Sequence, residues 1–307
     1  MNYTLHQLQI FLKIAELKSI TKASEALYLT QPAVSIQLKK FQDQFSIPLT
    51  EIVGRQLYVT DFGKEIAEAA QAILEQVEQI NYKSQAYQGK LSGKLKISIV
   101  STAKYLMPYF LSEFMQQNSA VDLEMIVTNK ATVVNSLEQN EVDFSMVSVI
   151  PDQIKLDRVE LMQNKLFLVG GQRYEFDGKP AGHKVLSELP LIYREKGSAT
   201  RAAMESFIAK NKIPTVKNIT LQSNEALKQA VISGIGYSIM PLIGIKNDLS
   251  NGDLQIIPYK GLPVKTNWNL VWRSAKQLSP VAQAYLDYVL ENKDRIINET
   301  FDWFEKY

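Results

Sequence analysis

The stretch "SITKASEALYLTQPAVSIQLKKFQDQF", residues 19–45, places a Thr-Gln-Pro break between two short amphipathic segments. Upstream of it, Leu5, Leu8, Phe11, Leu12 and Ala15 recur at helical spacing and predict a first helix with those residues on its inner face. Ser19 or Thr21 caps a second helix whose apolar side is Ala23, Ala26 and Leu27, too short to stand without a tertiary partner. Thr30 caps a third, with Pro32 in its first turn, where a missing N–H leaves no hydrogen bond unmade. In that third helix Val34, Leu38, Phe41 and Phe45 face inward, while Gln31, Ser35, Gln37, Lys39 and Lys40 line the outer side. A turn that starts a helix at a new angle is the helix-turn-helix layout, in which the later helix enters the major groove of double-stranded DNA. Gln pairs with two atoms of an adenine edge, Ser bonds a phosphate oxygen, and Lys neutralises backbone charge. "EIVGRQLYVT", residues 51–60, then sets a glycine-centred turn between β-rich residues, as a small wing with Arg55 at its tip does. A plain three-helix bundle with a solvated polar face fits the same periodicity. Residues 1–60 hold six Lys or Arg against four Asp or Glu, so charge does not separate the two readings.

The whole chain narrows the choice. Its 307 residues suggest two or three compact units, and 46% hydrophobic with 21% charged residues is a globular rather than a disordered composition. A formal charge of +2 makes any basic surface a local one. With no Cys and only two His, thiolate chemistry is excluded and a His-rich metal site has no ligands to use. Glu16 and Glu25 interrupt the apolar residues near the start, and no later apolar run approaches a membrane-spanning length, so a cytoplasmic location without membrane association is expected.

From Asp61 to Gln88 the period changes. Ile66, Ala70, Ile73, Val77, Ile80, Ser84 and Tyr87 alternate four and three apart in a heptad seam, flanked by Glu65, Glu68, Glu75, Glu78, Lys64 and Lys83. The seam fits a second copy of the chain or the rest of its own. "YQGKLSGK", residues 87–94, reads as a hinge. Beyond it strands and helices alternate, which predicts α/β units with a largely parallel sheet. The order strand, Ser-Thr turn, helix in "LKISIVSTAKYLMPYFLSEFMQQ" (95–117) returns in "LIYREKGSATRAAMESFIAKNK" (191–212), so two similar lobes are expected. Ligands of such lobes bind beyond the carboxyl ends of the strands. Ser101, Thr102, Ser198 and Thr200 fall there, with Arg201 as the cation for charge-assisted bonds to a small anionic metabolite and Lys104 or Arg194 as secondary candidates. Ser148 and Asn224 are further candidates for the cleft wall; simple helix capping is the competing role for each hydroxyl. Trp268 and Trp272 read as core or lobe interface, and the tail "NETFDWFEKY" as docked on a lobe or a subunit.

The stretch 19–45 followed by "GRQLYVTDFG" resembles the DNA-binding end of LysR-type transcriptional regulators. The resemblance implies DNA contacts from the recognition helix, at Thr30, Gln31, Pro32, Ser35, Gln37 and Lys39, and from Arg55 in the wing. Two positions depart from the family pattern: Ile36, where many members carry Arg, and Thr50, where Phe usually follows Leu. "STAKYLMP", "NEVDFSMVS", "GSATRAAMESF" and "SNEALKQAVISGIGYSIMP" are similar to the branch that regulates carbon-fixation (RuBisCO) operons, whose effectors are phosphorylated sugars or reduced nicotinamide nucleotides. The fold so implied is an N-terminal all-α winged helix-turn-helix (residues 1–60) with a long linker helix and hinge (61–90). An α/β two-lobed, periplasmic-binding-protein-like effector domain follows (91–307), with lobe I at about 91–163 and 269–300 and lobe II at about 164–268. The partners implied are promoter DNA, a second copy of the chain in a dimer or dimer of dimers, and RNA polymerase; no cofactor is implied. A two-lobed solute-binding protein is the alternative, opposed by the Thr-Gln-Pro motif. A hydrolase built on Ser198, His183 and an Asp lacks the Gly-x-Ser-x-Gly elbow.

Overall fold

The structure is a computed structural model that describes residues 2–54, 56–86, 90–172, 190–213 and 218–307. Two compact units divide it, residues 1–90 and 91–307.

The first unit is helical with one hairpin. Helix α1 (Leu5–Leu17) opens on a reciprocal capping box: Thr4 accepts from the Gln7 amide while the Gln7 side chain accepts from the Thr4 amide at 2.9 Å. Its inner face differs from the expectation. Leu8, Ile10, Phe11 and Ile14 are buried, whereas Leu5 is exposed and Leu12 and Ala15 are half-buried. With apolar residues at most positions of the helix, spacing leaves its rotation open, and contact with helices on two sides selects the wider face. Ser19 caps α2 (Ile20–Ala26) and Thr30 caps α3 (Gln31–Gln42). Val34, Leu38 and Phe41 enter the core, where Phe41 lies 5.3 Å from Phe11 and 5.1 Å from Phe45 between ring centroids. Strands β1 (Thr50–Val53) and β2 (Gln56–Val59) pair antiparallel from Thr50↔Val59 to Val53↔Gln56, leaving a two-residue connection in which Gly54 takes φ +68°. Helix α4 (Asp61–Ala86) begins against the hairpin, where Gly63 packs so closely that a Cβ would fall 2.0 Å from the Leu49 carbonyl oxygen.

The second unit contains strands β3 (Ser92–Val100), β4 (Ala120–Thr128) and β5 (Phe144–Val147), with helices α5 (Met107–Gln117) and α6 (Lys130–Glu138) between them. Ser92–Lys94, expected in the hinge, belong to β3; residues 87–89 lie outside the described residues. The strand order β4-β3-β5, all parallel, makes the two crossovers run in opposite directions, so right-handed connections put α5 and α6 on opposite faces. The other lobe repeats this. Strand β7 (Leu191–Arg194) pairs parallel with β8 (Asn218–Leu221) and bridges in parallel, through Leu191 and Tyr237, to the residue before β9 (Ser238–Pro241). Helices α7 (Ala199–Lys210) and α8 (Asn224–Ile232) are its connections.

Strand β6 (Leu156–Gly171) serves both lobes, pairing antiparallel with β11 (Val264–Arg273) along most of its length, then with β9 and with β10 (Leu254–Ile256). The sheet is therefore mixed rather than largely parallel. Its register shifts between Asn267 and Asn269, around the fully buried Trp268. Short helix α9 (Lys246–Asn251) precedes β10, and helix α10 (Pro280–Phe301) covers α5 through Phe114 and Tyr285, 5.1 Å apart. The tail continues as a 3-10 turn (Asp302–Lys306) with Trp303 and Phe304 buried. It is anchored by buried Lys165 of β6, whose ammonium donates to the carbonyls of Phe304 at 3.1 Å and Tyr307 at 3.2 Å and to Glu305 at 3.4 Å.

Candidate functional site

The outward surface of the first unit is built on α3. Thr30 Oγ1 accepts from the Ala33 amide at 3.4 Å, which occupies the hydroxyl in capping. Gln31, Pro32, Lys39 and Lys40 are exposed in the same helix, and Ser35 is half-buried. Gln37 has a second attachment: its side-chain oxygen accepts from Gln7 Nε2 at 3.2 Å, tying α3 to α1 and turning the residue partly inward. Ile36 is exposed on the outer side. Sequence reasoning passed over Tyr28, which stands 96% exposed at the turn before the Thr30 cap with φ +55°. In the wing, Ile52, Val53 and Tyr58 are exposed beside Gly54, and Arg55 lies outside the described residues. Along α4, Ala70 is buried and Ile66 half-buried, but Ile73 is 41% and Ile80 66% exposed, and Val77 is half-buried. The first part of the seam is thus used within the unit and the later part is left open.

In the second unit, both lobes have the strand order in which the second strand lies on one side of the first and the third on the other. A crevice forms where connections leave in opposite directions, at the carboxyl ends of the first and third strands. In the first lobe those ends carry Ser101 and Thr102 after β3 and Ser148 after β5; in the second, Arg194 ends β7. Thr102, Ser148, Ser198, Thr200 and Asn224 are all buried.

Arg194 joins the lobes. Its guanidinium is 3% exposed, and both Nη1 and Nη2 donate to Ser101 Oγ at 3.3 Å. Nη1 also donates to Asn224 Oδ1, Nη2 to the Gln222 carbonyl at 3.5 Å, and Asn224 Nδ2 to Ser101 Oγ at 3.3 Å. Nε and Nη2 meet the two Glu195 oxygens at 2.9 and 3.0 Å. Arg201 is not brought to this cluster. It stands over the Tyr193 ring, pairs with Glu205 at 2.7 Å and donates to the Arg194 carbonyl at 2.9 Å. Tyr193 and Arg194 are adjacent on a strand, so their side chains leave opposite faces, and Arg201 follows Tyr193. Burial raises the Tyr193 phenol above its ordinary pKa, with the Glu205 charge adding to the effect.

The hydroxyls divide by role. Ser223, not Asn224, caps α8, accepting from the Ala226 amide at 3.0 Å, which frees the Asn224 amide for Ser101 and Arg194. Ser198 stands at the cap position of α7 and Thr102 at that of a 3-10 turn after β3 (Ala103–Tyr105), yet neither side chain makes a capping hydrogen bond. Gly197 takes φ +88°, and a Cβ there would lie 3.3 Å from that of Ala131 in α6, so the turn before Ser198 rests directly on the other lobe. A groove of about 540 Å³ opens beside this contact, lined by Lys130, Val134, Ile150, Gln153 and Gly197 among others. Lys104 remains at the edge; its charge, behind the hydrogen bonds from Gln229 and Lys228, contributes to holding the Glu225 carboxyl below its usual value. His183 lies outside the described residues, and no cluster of three His, Cys, Asp or Glu able to hold a metal occurs among those described.

Residues 5–64 match the family described as bacterial regulatory helix-turn-helix protein, lysR family, and residues 88–294 match the LysR substrate binding domain. The chain is 33% identical over 297 residues to the HTH-type transcriptional activator CmpR of Synechocystis sp., covering 96% of this chain and 97% of the relative. It is equally identical, 33% over 297 residues, to the RuBisCO operon transcriptional regulator of Allochromatium vinosum, covering 96% and 98%. The solved regulatory domain of Synechocystis CcmR, in complex with 2-PG, is similar with a TM-score of 0.62 at 30% identity, over 66% of this chain and 98% of that one. Full-length CbnR complexed with its target DNA shares the fold, with a TM-score of 0.69 at 19% identity, over 94% and 99%. Both halves thus carry the family's sequence and its architecture, and the chain belongs to the LysR family: it is a DNA-binding transcriptional regulator with an effector-binding domain, similar to the regulators of RuBisCO operons.

Proposed function

We propose that this regulator is controlled by a small anionic metabolite held between the lobes of residues 91–307, and that Ser101, Thr102, Ser148, Ser198, Arg194 and Asn224 form its site. The observation that carries the reading is the buried Arg194 guanidinium, which reaches Ser101 from the opposite lobe at the strand ends where α/β folds take ligands. Hydroxyls without capping bonds at Ser198 and Thr102 supply further donors. Arg201 supports the site from behind by holding the Arg194 backbone. A phosphorylated acid such as 2-phosphoglycolate, the 2-PG of the CcmR complex, has the charge this arrangement suits.

On the DNA side, Gln31 and Ser35 read base edges or phosphates, Lys39 and Arg55 neutralise backbone charge, and Thr30 and Pro32 fix where the helix starts. Ile36 meets a thymine methyl where other members carry Arg. The exposed seam at Ile73 and Ile80 pairs with a second copy, giving a dimer or a dimer of dimers in the cytoplasm. Ligand shifts the population of lobe geometries, the assembly on promoter DNA changes its spacing, and access of RNA polymerase changes with it.

The test combines two measurements. Sheared genomic DNA is selected on the purified protein at moderate salt, and the retained sites are footprinted with and without 2-phosphoglycolate, phosphorylated sugars or reduced nicotinamide nucleotides. Enrichment of intergenic inverted repeats with a ligand-dependent footprint is the expected result. A ligand that binds the cleft and leaves the footprint unchanged would falsify the coupling.

A further inference from the structure

Arg194 and Glu195 are sequence neighbours whose side chains nonetheless share one space, because β7 ends at Arg194 and strand alternation stops there. The carboxylate meets the guanidinium with both oxygens, Oε2 on Nε at 2.9 Å and Oε1 on Nη2 at 3.0 Å. This two-pronged geometry is the one by which a guanidinium grips a free carboxylate or phosphate. The Nη1 side is taken by Asn224 and Ser101. The group best suited to hold an anion in the cleft therefore already holds one, and it comes from the chain itself. Burial differs between the two partners: the Arg194 side chain is 3% exposed, that of Glu195 20%. Glu195 can swing toward water while Arg194 stays in place.

We propose that Glu195 is an internal stand-in for the effector's anionic group, occupying Arg194 in the unliganded protein and displaced when effector binds. The inference rests on the reading of this cleft as the effector site. One consequence follows for the response to ligand. A tethered competitor lowers the apparent affinity by the fraction of time it leaves Arg194 free, which sets the response to a higher ligand concentration. That factor is the same for every ligand that needs Arg194, so the ratio between a phosphorylated acid and its unphosphorylated counterpart is set by their own affinities for the guanidinium.

The experiment is calorimetric titration of the full chain and of Glu195→Gln with 2-phosphoglycolate and with glycolate. Glu195→Gln keeps the shape and loses the charge. The expected result is about tenfold tighter 2-phosphoglycolate binding in the variant, the scale of one charge-assisted contact removed from the competing state, with glycolate tightened by the same factor. Thermal unfolding gives an independent reading. The variant should melt lower without ligand, because Arg194 is left uncompensated, and show a larger upward shift with it. Glu195→Asp, with the charge kept and the reach shortened, should fall between wild type and Glu195→Gln, and it carries the test if the Gln variant does not fold. Unchanged or weaker binding in both variants, with Ser101→Ala still weakening the wild-type protein, overturns the stand-in and leaves the cleft as the effector site. A folded wild-type protein that binds neither these ligands nor inorganic phosphate overturns both.

Discussion

The two units place their candidate functional side chains in opposite ways. In residues 1–90 the outward residues of α3 are presented by one helix and its own cap, so their positions follow from a dozen consecutive residues. In residues 91–307 the cluster of Ser101, Arg194 and Asn224 joins positions 93 and 30 residues apart in sequence, each at the end of a different element. The first arrangement depends on a helix being packed at all, the second on two lobes being held in register. If these are the working residues, substitutions in the core should matter most in the first unit and single polar contacts in the second.

Phe41→Ala carries the largest expected effect. Removing a fully buried ring in contact with Tyr3, Phe11 and Phe45 should destabilise the first unit by about 3–5 kcal/mol and abolish DNA binding. Effector affinity by calorimetry should not change; a parallel loss would erase the distinction between the units. Arg194→Met comes next, with about a hundredfold loss of 2-phosphoglycolate affinity, the scale of two hydrogen bonds to a charged group, and unchanged binding to a DNA half-site. Were DNA binding to fall equally in a half-site gel shift, Arg194 would have to be counted as a general stabiliser of the chain. Gln31→Ala should cost about 1–3 kcal/mol of discrimination at one base position, measured by binding to a set of substituted operators, and leave thermal stability near wild type. Thr30→Ala has the smallest effect, about 1 kcal/mol of stability through the lost cap, seen as a lower denaturant midpoint with operator preference retained. A change of operator preference in Thr30→Ala would turn it from a positioning residue into a reading one.

The same contrast decides what can be read from the sequence. The cap at Thr30, Pro32 in the first turn and the wing turn at Gly54 are local chemistry, and the corresponding elements stand where that chemistry indicates. Rotation of α1 was not legible, since Leu5 and Leu12 satisfy the helical period as well as Ile10 and Ile14 do; only the neighbouring helices choose between them. In the second unit the repeated strand-turn-helix order announces two lobes, but it favours Arg201, next to the Ser-Thr turn, where the structure brings Arg194 to the cluster. The difference between them is the direction in which a side chain leaves β7, which depends on how the strand pairs. Strand β6 is the hardest case. Asp157, Arg158, Glu160, Gln163, Asn164 and Lys165 make its sequence look like loop or helix, and it is a strand because it crosses from one lobe's environment to the other's. No local pattern announces that its Lys165 will be buried, because the partners come about 140 residues later.

That delay matters while the protein is being made. Among the described residues the core of the first unit draws on positions between Tyr3 and Leu74, so the DNA-binding unit can fold while the rest is still being translated. The effector unit cannot finish in the same way. Until Phe304, Glu305 and Tyr307 have left the ribosome, the ammonium of Lys165 lacks the acceptors that hold it in the finished fold, so burying the strand shared by both lobes would leave that charge unpaired. The sensor can therefore be completed only after the last of these residues is made, whereas the part that grips DNA is free to form earlier.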